Sequence, residues 1–237
     1  MGDIRYKMNT YTQLIDKHKG ENCFIYGAGP SLYHHMQSKF FKSLYKYGIV
    51  IVVNSAIIAE KEPSFWISCD HLATNWTWWK NVKNSKCIKL VRSSWLKYKD
   101  NQDGFFYFKP RPTSEDLISP EDEGLCYCCS VSSSIDFSLQ MGCKKIFVLG
   151  LDHKSIDGKH HFWQFFDRKK QPRQLRPAQA KWEVQKSVFP IHMKAYEALE
   201  KFSQYKKSKI YNCNPESKVN CFERIKMEDV KKILGVK

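Results

Sequence analysis

No stretch of the sequence approaches the roughly 20 consecutive apolar residues that a membrane-spanning helix requires. The opening residues, MGDIRYKMNTYTQ, also lack the apolar core of a signal peptide. Met1-Gly2 begins like a myristoylation signal, but Tyr6 stands where that signal carries Ser or Thr. The expectation is a cytoplasmic chain with no membrane span. Paired cysteines are missing too: the nine cysteines are odd in number, and the CYCC cluster at 126–129 has no second CxxC or HxxxH to complete a zinc knuckle. The remaining cysteines sit in or beside apolar runs, where a free thiol behaves as a small buried hydrophobe. No disulfide framework, zinc or haem is expected. Acid is in short supply, with 24 Asp and Glu against 39 Lys and Arg, a formal charge of +15. Such a surplus fits an anionic partner, whether nucleic acid, an anionic ligand or an acidic surface. No internal repeat appears.

What is present is a globular chain of 237 residues, 42% hydrophobic and 14% aromatic, long enough to bury a substantial core in one domain. Short apolar runs read as strands at 23–27, 49–54, 65–70, 87–91, 105–108, 145–150 and 209–213. They are rich in Val and Ile and barely alternate, the pattern of strands covered on both faces. Helical patterns fall between them at Leu32–Tyr47, Ser130–Met141 and Ile191–Lys206. Alternation of this kind predicts an α/β fold, a Rossmann-like, doubly wound, mostly parallel sheet. Ligands of such sheets bind beyond the carboxyl ends of the strands, where strand order reverses. Four of those ends are polar: Gly27 to Ser31, Asn54-Ser55, Cys69-Asp70-His71, and Gly150 to His153.

The segment GAGPSL at 27–32 is neither the dinucleotide fingerprint, which needs a third glycine, nor a Walker A loop, which needs Gly-Lys-Ser/Thr. It marks either a tight turn or a place where bare backbone meets a phosphate. Between Lys159 and Lys186 lie eight Lys or Arg residues against Asp167 and Glu183, interleaved with Trp163, Phe165, Phe166 and Trp182. That stretch is either a solvated loop or a basic, aromatic lid over an anionic ligand.

Taken in order, GAGPSL, VVNSA, SVSSSIDFSLQMGCKKIFVLGLD and KIYNCNPESKVNCF resemble the sialyltransferase-like proteins of glycosyltransferase family 42. They are similar as well to the broader 6-hydroxymethylpterin diphosphokinase-like group, many of whose members are phage-encoded. The resemblance spans about residues 20 to 227. It implies one nucleotide-binding domain over 1–237, a sialyltransferase-like variant of the GT-A fold with a lid-like insertion at 154–190. It implies a nucleotide-sugar donor held by Gly27, Ala28, Gly29, Pro30 and Ser31, by Asn54 and Ser55, by Asp70, and by Ser130 and Ser132 at a helix start. Ala28 stands where the family has Asn, and Val131 where it has Gly. The two tyrosines that assist the leaving phosphate are replaced by Lys154 and His161. The general base maps nearest to His192, which otherwise simply occupies the first turn of an amphipathic helix.

Asp152 and Asp70 each end a strand, so each either caps a turn or, in a Mg²⁺-dependent reaction, holds the cation. The donor could pass its sugar to a hydroxyl acceptor such as a hydroxymethylated pyrimidine in phage DNA. In that case Trp163 with Lys169, Lys170, Arg173 and Arg176 would serve as lid or acceptor contacts. Two other readings stay open: a pterin-type diphosphokinase using ATP and Mg²⁺, and a nucleic-acid-binding protein without catalysis.

Overall fold

The computed structural model describes residues 9–60, 62–97, 104–111, 124–126, 128–175 and 183–236; the side chains of 96, 97 and 183–187 lie outside the description, as do Arg176 and Trp182. An eight-stranded sheet dominates, built from β1 (Asn22–Tyr26), β2 (Ile49–Val53), β3 (Phe65–Ser68), β4 (Ile88–Arg92), β5 (Phe105–Phe108), β8 (Lys145–Leu149), β9 (Lys209–Asn212) and β10 (Glu223–Arg224). Two short strands, β6 (Pro110–Arg111) and β7 (Leu125–Cys126), pair separately. The order is β10-β9-β8-β1-β2-β3-β4-β5, with every pairing parallel. The chain winds outward from β1 to β5, then returns to lay β8 along the other side of β1. Strand order therefore reverses between β1 and β8, which is where this architecture opens a crevice.

Period-two side-chain alternation explains why the strands read as unbroken apolar runs. Cys23, Ile25, Ile51, Ile146 and Val148 enter one core. Phe24, Tyr26, Val52, Phe147 and Leu149 enter the other. Helices α3 (Ser130–Gln140) and α4 (Glu183–Tyr205) cover the first face. Helices α1 (Ser31–Met36), α2 (Trp79–Asn84) and α5 (Met227–Leu234) cover the second. Trp66, fully buried on β3, gathers Trp78, Trp79 and Trp95 at ring separations of 5.7–6.5 Å. Trp78 and Trp79, which follow β3, thus serve as sheet packing.

Several element boundaries differ from the sequence reading. The helix expected over 32–47 divides into α1 and a 3-10 helix at Phe41–Lys46. The polar Gln37-Ser38-Lys39 run separates them, and Ser38 Oγ accepts from Phe40 N–H at 3.1 Å. Helix α4 continues through Pro190 instead of starting after it, so the end of the 154–190 segment is helical. The short elements α2, α5, β6, β7 and β10 carry too few residues to show a period.

One buried charge pair ties the β6–β7 ribbon to α3. Asp136, fully buried, accepts from the Arg111 guanidinium, from Cys126 N–H at 2.6 Å and from Gln140 Nε2 at 3.0 Å. Burial raises its pKa, while Arg111 chiefly opposes that rise. Removing the cation alone strands a buried carboxylate, a change that typically costs about 3–5 kcal/mol. Arg111→Ala should therefore lower the unfolding free energy by that amount at neutral pH, read as a lower urea midpoint at unchanged slope, and Asp136→Ala combined with it should recover part of the loss. Equal stability of Arg111→Ala and the parent would show that the pair is not buried as described.

Candidate functional site

At the switch point the loops following β1 and β8 touch through their backbones. Gly27 N–H donates to Leu149 O at 2.7 Å, and Gly29 N–H donates to Gly150 O at 3.0 Å. A Cβ on Gly27 would lie 2.6 Å from Gly150 O; on Gly29 it would meet Asp152 Oδ2 and lie 2.6 Å from Gly150 O. Both glycines are accounted for by this chain-on-chain contact. Approach by a phosphate is not needed to explain them, although the loop still rims the crevice.

Asp152 locks three strand ends together. Only 2% exposed, it accepts from Ser31 N–H at 2.9 Å, from Ser31 Oγ at 2.6 Å and from Asn214 Nδ2 at 2.6 Å. Burial raises its pKa, and the bonds from Ser31 and Asn214, with the Lys154 charge, oppose the rise. Asp70 instead caps the 3-10 helix His71–Asn75, accepting from Leu72 N–H at 2.9 Å. Two strands stand between β8 and β3, so these carboxylates are separated by roughly 14 Å at the usual strand spacing. They cannot share one cation, and Asp152 is already occupied by protein donors. Among the described residues no three His, Cys, Asp or Glu side chains converge as metal ligands. A shared Mg²⁺ does not fit these carboxylates.

Asn54 ends β2 one strand from the glycine loop. Its φ of 49° is left-handed, a region Asn tolerates better than most residues. Trp66 Nε1 holds the turn by donating to Asn54 O at 3.0 Å. The side-chain Oδ1 is buried and has no hydrogen-bond partner among the described residues. Ser55 follows, buried in the first turn of the next 3-10 helix.

The hydroxyls at the start of α3 face inward more than the sequence reading expects. Ser132 Oγ donates to Cys129 O at 2.7 Å and accepts from Cys129 N–H at 2.9 Å. Ser133 Oγ donates to Cys126 O, and Ser134 Oγ to Ser130 O at 2.7 Å. Ser130 Oγ accepts from Cys69 N–H at 2.9 Å, joining α3 to the end of β3. Ser132 thus caps its own helix.

Beside the α3 start lies a cluster that periodicity and motif reading passed over, apart from His192. His153, at φ 49°, places Nε2 3.1 Å from Tyr196 OH, and Tyr196 OH lies 3.3 Å from Cys129 Sγ. His192 packs edge-on against His153, ring centroids 5.2 Å apart. Burial drives the His153 pKa down to about 4, helped by the His192 charge, and burial also lowers that of His192. Both imidazoles are therefore neutral near pH 7. His192 Nδ1 is buried without a hydrogen-bond partner among the described residues. Lys154 reaches Glu216 at 2.8 Å across the same rim.

The segment after β8 forms a roof stitched down at several points. His161 Nδ1 lies 3.2 Å from Ala28 O, and Phe162 N–H donates to the same oxygen at 3.3 Å. Phe162 is fully buried, Phe165 stacks on Tyr33 at 4.8 Å, and Trp163 packs on Trp76 at 5.9 Å. Further along, Thr77 N–H donates to Arg173 O at 2.9 Å and Leu175 N–H to Asn75 O at 2.7 Å. The aromatic side chains hold the roof in place, while Arg168, Lys169, Lys170 and Arg173 remain exposed. Arg176 lies outside the described residues. His35 on α1 is partly buried, and its pKa falls to about 4 through burial.

The depressed histidines set a pH dependence. Between pH 6.5 and about 4 the unfolded chain binds protons that His153 and His35 refuse when folded, so their contribution is complete above 6.5 and is lost as pH falls. Asp152 and Asp136, with raised values, act with the opposite sign. The comparison of His153→Gln with the parent isolates the imidazole. The variant should lose stability less steeply on acidification across this window, by at most about 1.4 kcal/mol per pH unit. Parallel urea-stability curves for the two proteins would contradict a buried neutral His153.

No protein-family model matches the chain, and no curated protein matches it in sequence. Among solved structures it resembles the MAf glycosyltransferase of Magnetospirillum magneticum AMB-1, with a TM-score of 0.53 at 14% identity over 91% of this chain and 37% of that one. This chain therefore spans little more than a third of the MAf protein. The sialyltransferase CstII of Campylobacter jejuni, in complex with the substrate analogue CMP-3FNeuAc, matches with a TM-score of 0.46 at 12% identity over 86% of each chain. CstII with a trisaccharide acceptor and CMP gives 0.44 at 13% over 86% and 85%. At 14% identity the likeness to the MAf structure concerns the fold alone, an α/β sheet.

Proposed function

We propose that the protein is a glycosyltransferase that moves a sugar from a nucleotide-sugar donor to a hydroxyl acceptor at the β1–β8 crevice. The observation that carries this reading is Asn54. A buried acceptor without a partner costs about 1–3 kcal/mol, and a left-handed backbone adds to that cost. A ribose hydroxyl or base amino group donating to Oδ1 would satisfy it. Gly27 to Ser31 form the neighbouring rim, and the Ser130 end of α3 offers a positive dipole to the donor phosphates.

In this reading His192 is the general base. With its proton on Nε2, the neutral ring takes the hydroxyl proton on Nδ1 once that buried nitrogen turns toward the acceptor. The acceptor oxygen bonds to the anomeric carbon as the bond from that carbon to the phosphate oxygen breaks, and the hydroxyl proton passes to Nδ1. Lys154 balances the charge growing on the departing phosphate by exchanging Glu216 for it. Asp152 keeps the loops in register, since its oxygens already accept from Ser31 and Asn214.

A nucleotide-sugar panel, scored by nucleotide release, tests the reading. With the active donor, His192→Ala should cut turnover by about 10²–10⁴ with donor affinity unchanged. Asn54→Ala should instead weaken donor binding. Full turnover in His192→Ala would remove the base from this position. AMP release from ATP, with every nucleotide sugar inert, would favour the diphosphokinase reading.

The exposed cations of the roof favour one refinement, a DNA-borne acceptor such as a hydroxymethylated pyrimidine. Arg168, Lys169 and Lys170 form one exposed turn, with Arg173 just beyond. Phosphate contacts of this kind make affinity fall steeply with salt. Reversing the charge at Lys169, Lys170 and Arg173 should weaken DNA binding and spare the donor. Loss of donor binding with no change toward DNA would instead assign these cations to the donor.

A further inference from the structure

The end of the sheet opposite the crevice carries a second concentration of positive charge. Three loops meet there and are bonded to one another. The loop before β1 donates from Asp16 N–H to Gln140 O at 3.0 Å, from His18 N–H to Met141 O at 3.0 Å and from Gly20 N–H to Gly142 O at 2.9 Å. The loop before β8 donates from Lys144 N–H to Glu21 O at 2.7 Å, and β9 begins with Lys209 N–H donating to Lys144 O at 2.9 Å. Lys17, Lys19, Lys144 and Lys207 are exposed on these loops. The acidic groups there are few. Glu21 faces His18 at 3.3 Å, Glu223 pairs with Lys209 at 3.1 Å, and Asp16 is exposed.

Two apolar or amphipathic side chains stand exposed at the same edge. Ile15 is 40% exposed, and Tyr205, the last residue of α4, is 66% exposed. Helices α3 and α4 both end at this edge because each runs back against the strand direction. Lys207 also keeps a φ of 54°, a conformation that glycine would hold without steric cost.

We propose that this edge docks on an anionic lipid surface, with the lysines facing the headgroups and Ile15 and Tyr205 entering the headgroup layer. Residues 15–21, 142–145 and 205–209 contain seven lysines and no arginine. Diffuse lysine charge beside exposed apolar and tyrosyl groups suits a fluid anionic interface. A fixed phosphate backbone is better matched by the guanidinium fork, which is found instead on the roof. Docking by this edge leaves the crevice, at the other end of the strands, facing away from the lipid and open to a soluble donor.

Flotation of the full chain with vesicles tests this directly. The protein should rise with vesicles of phosphatidylcholine and phosphatidylglycerol, stay behind with phosphatidylcholine alone, and be released by salt. Each lysine at such a surface is worth roughly fivefold in partitioning. Changing Lys17, Lys19, Lys144 and Lys207 to Glu should therefore lower it by at least about a hundredfold, with the melting temperature as the check on folding. Tyr205→Ser should weaken binding without altering its salt dependence. Charge reversal at Lys169, Lys170 and Arg173 on the roof should leave flotation intact. The proposal is overturned if the roof variant abolishes flotation and the edge variant does not, if both vesicle types float the protein equally, or if neither does. It is overturned too if the edge variant loses duplex DNA binding while keeping its flotation.

Discussion

The arrangement of the crevice depends on one buried carboxylate. Asp152 joins the loops after β1, β8 and β9 through Ser31 and Asn214, so the strands on either side of the reversal end in a common, fixed frame. An ionised group with so little solvent requires several donors to offset its desolvation, and it has three. The absence of side chains at Gly27 and Gly29 follows from the same constraint. Only bare backbone fits between the β1 loop and the Gly150–Asp152 turn. The glycine-rich loop is therefore shaped first by the protein itself, and its availability to a donor follows from that shape.

Around this frame the site divides into two sides with different chemistry. On the side of α3 and α4, neutral imidazoles, a buried tyrosine and a thiol form a low-polarity cluster in which burial disfavours the protonated rings. Toward β2 lies the Asn54 amide oxygen, without a hydrogen-bond partner among the described residues, on a left-handed turn. The roof closes the α1 side through aromatic contacts and carries its cations outward. Burial thus keeps the imidazoles of the α3–α4 cluster neutral, while the cations stay on the rim and the roof, where they can meet an anionic ligand without being desolvated.

The sheet was legible because strands covered on both faces show as unbroken Val and Ile runs. Other features depend on partners too distant in sequence to be read. Gly29 needs Gly150 and Asp152, more than a hundred residues away. His153 gains its meaning only through Tyr196, 43 residues on. The serines of SVSSS are equally suited to bind a phosphate or to cap their own helix, and composition does not distinguish the two; in the structure Ser132, Ser133 and Ser134 turn to the backbone. His35 sits on a six-residue helix too short to reveal its buried face.

The central claim is that nucleotide binds beyond the carboxyl ends of β1 and β8. Amide chemical shifts of the labelled protein, followed as a nucleoside monophosphate or diphosphate is added, test it most directly. The account predicts saturable shifts at the amides of Gly27, Ala28, Gly29 and Ser31, at Asn54 and at the start of α3, with the amides of loops 17–20 and 142–144 unmoved. Saturable shifts confined to the opposite edge or to the outer face of the roof, with the β1 loop and Asn54 silent, would contradict it.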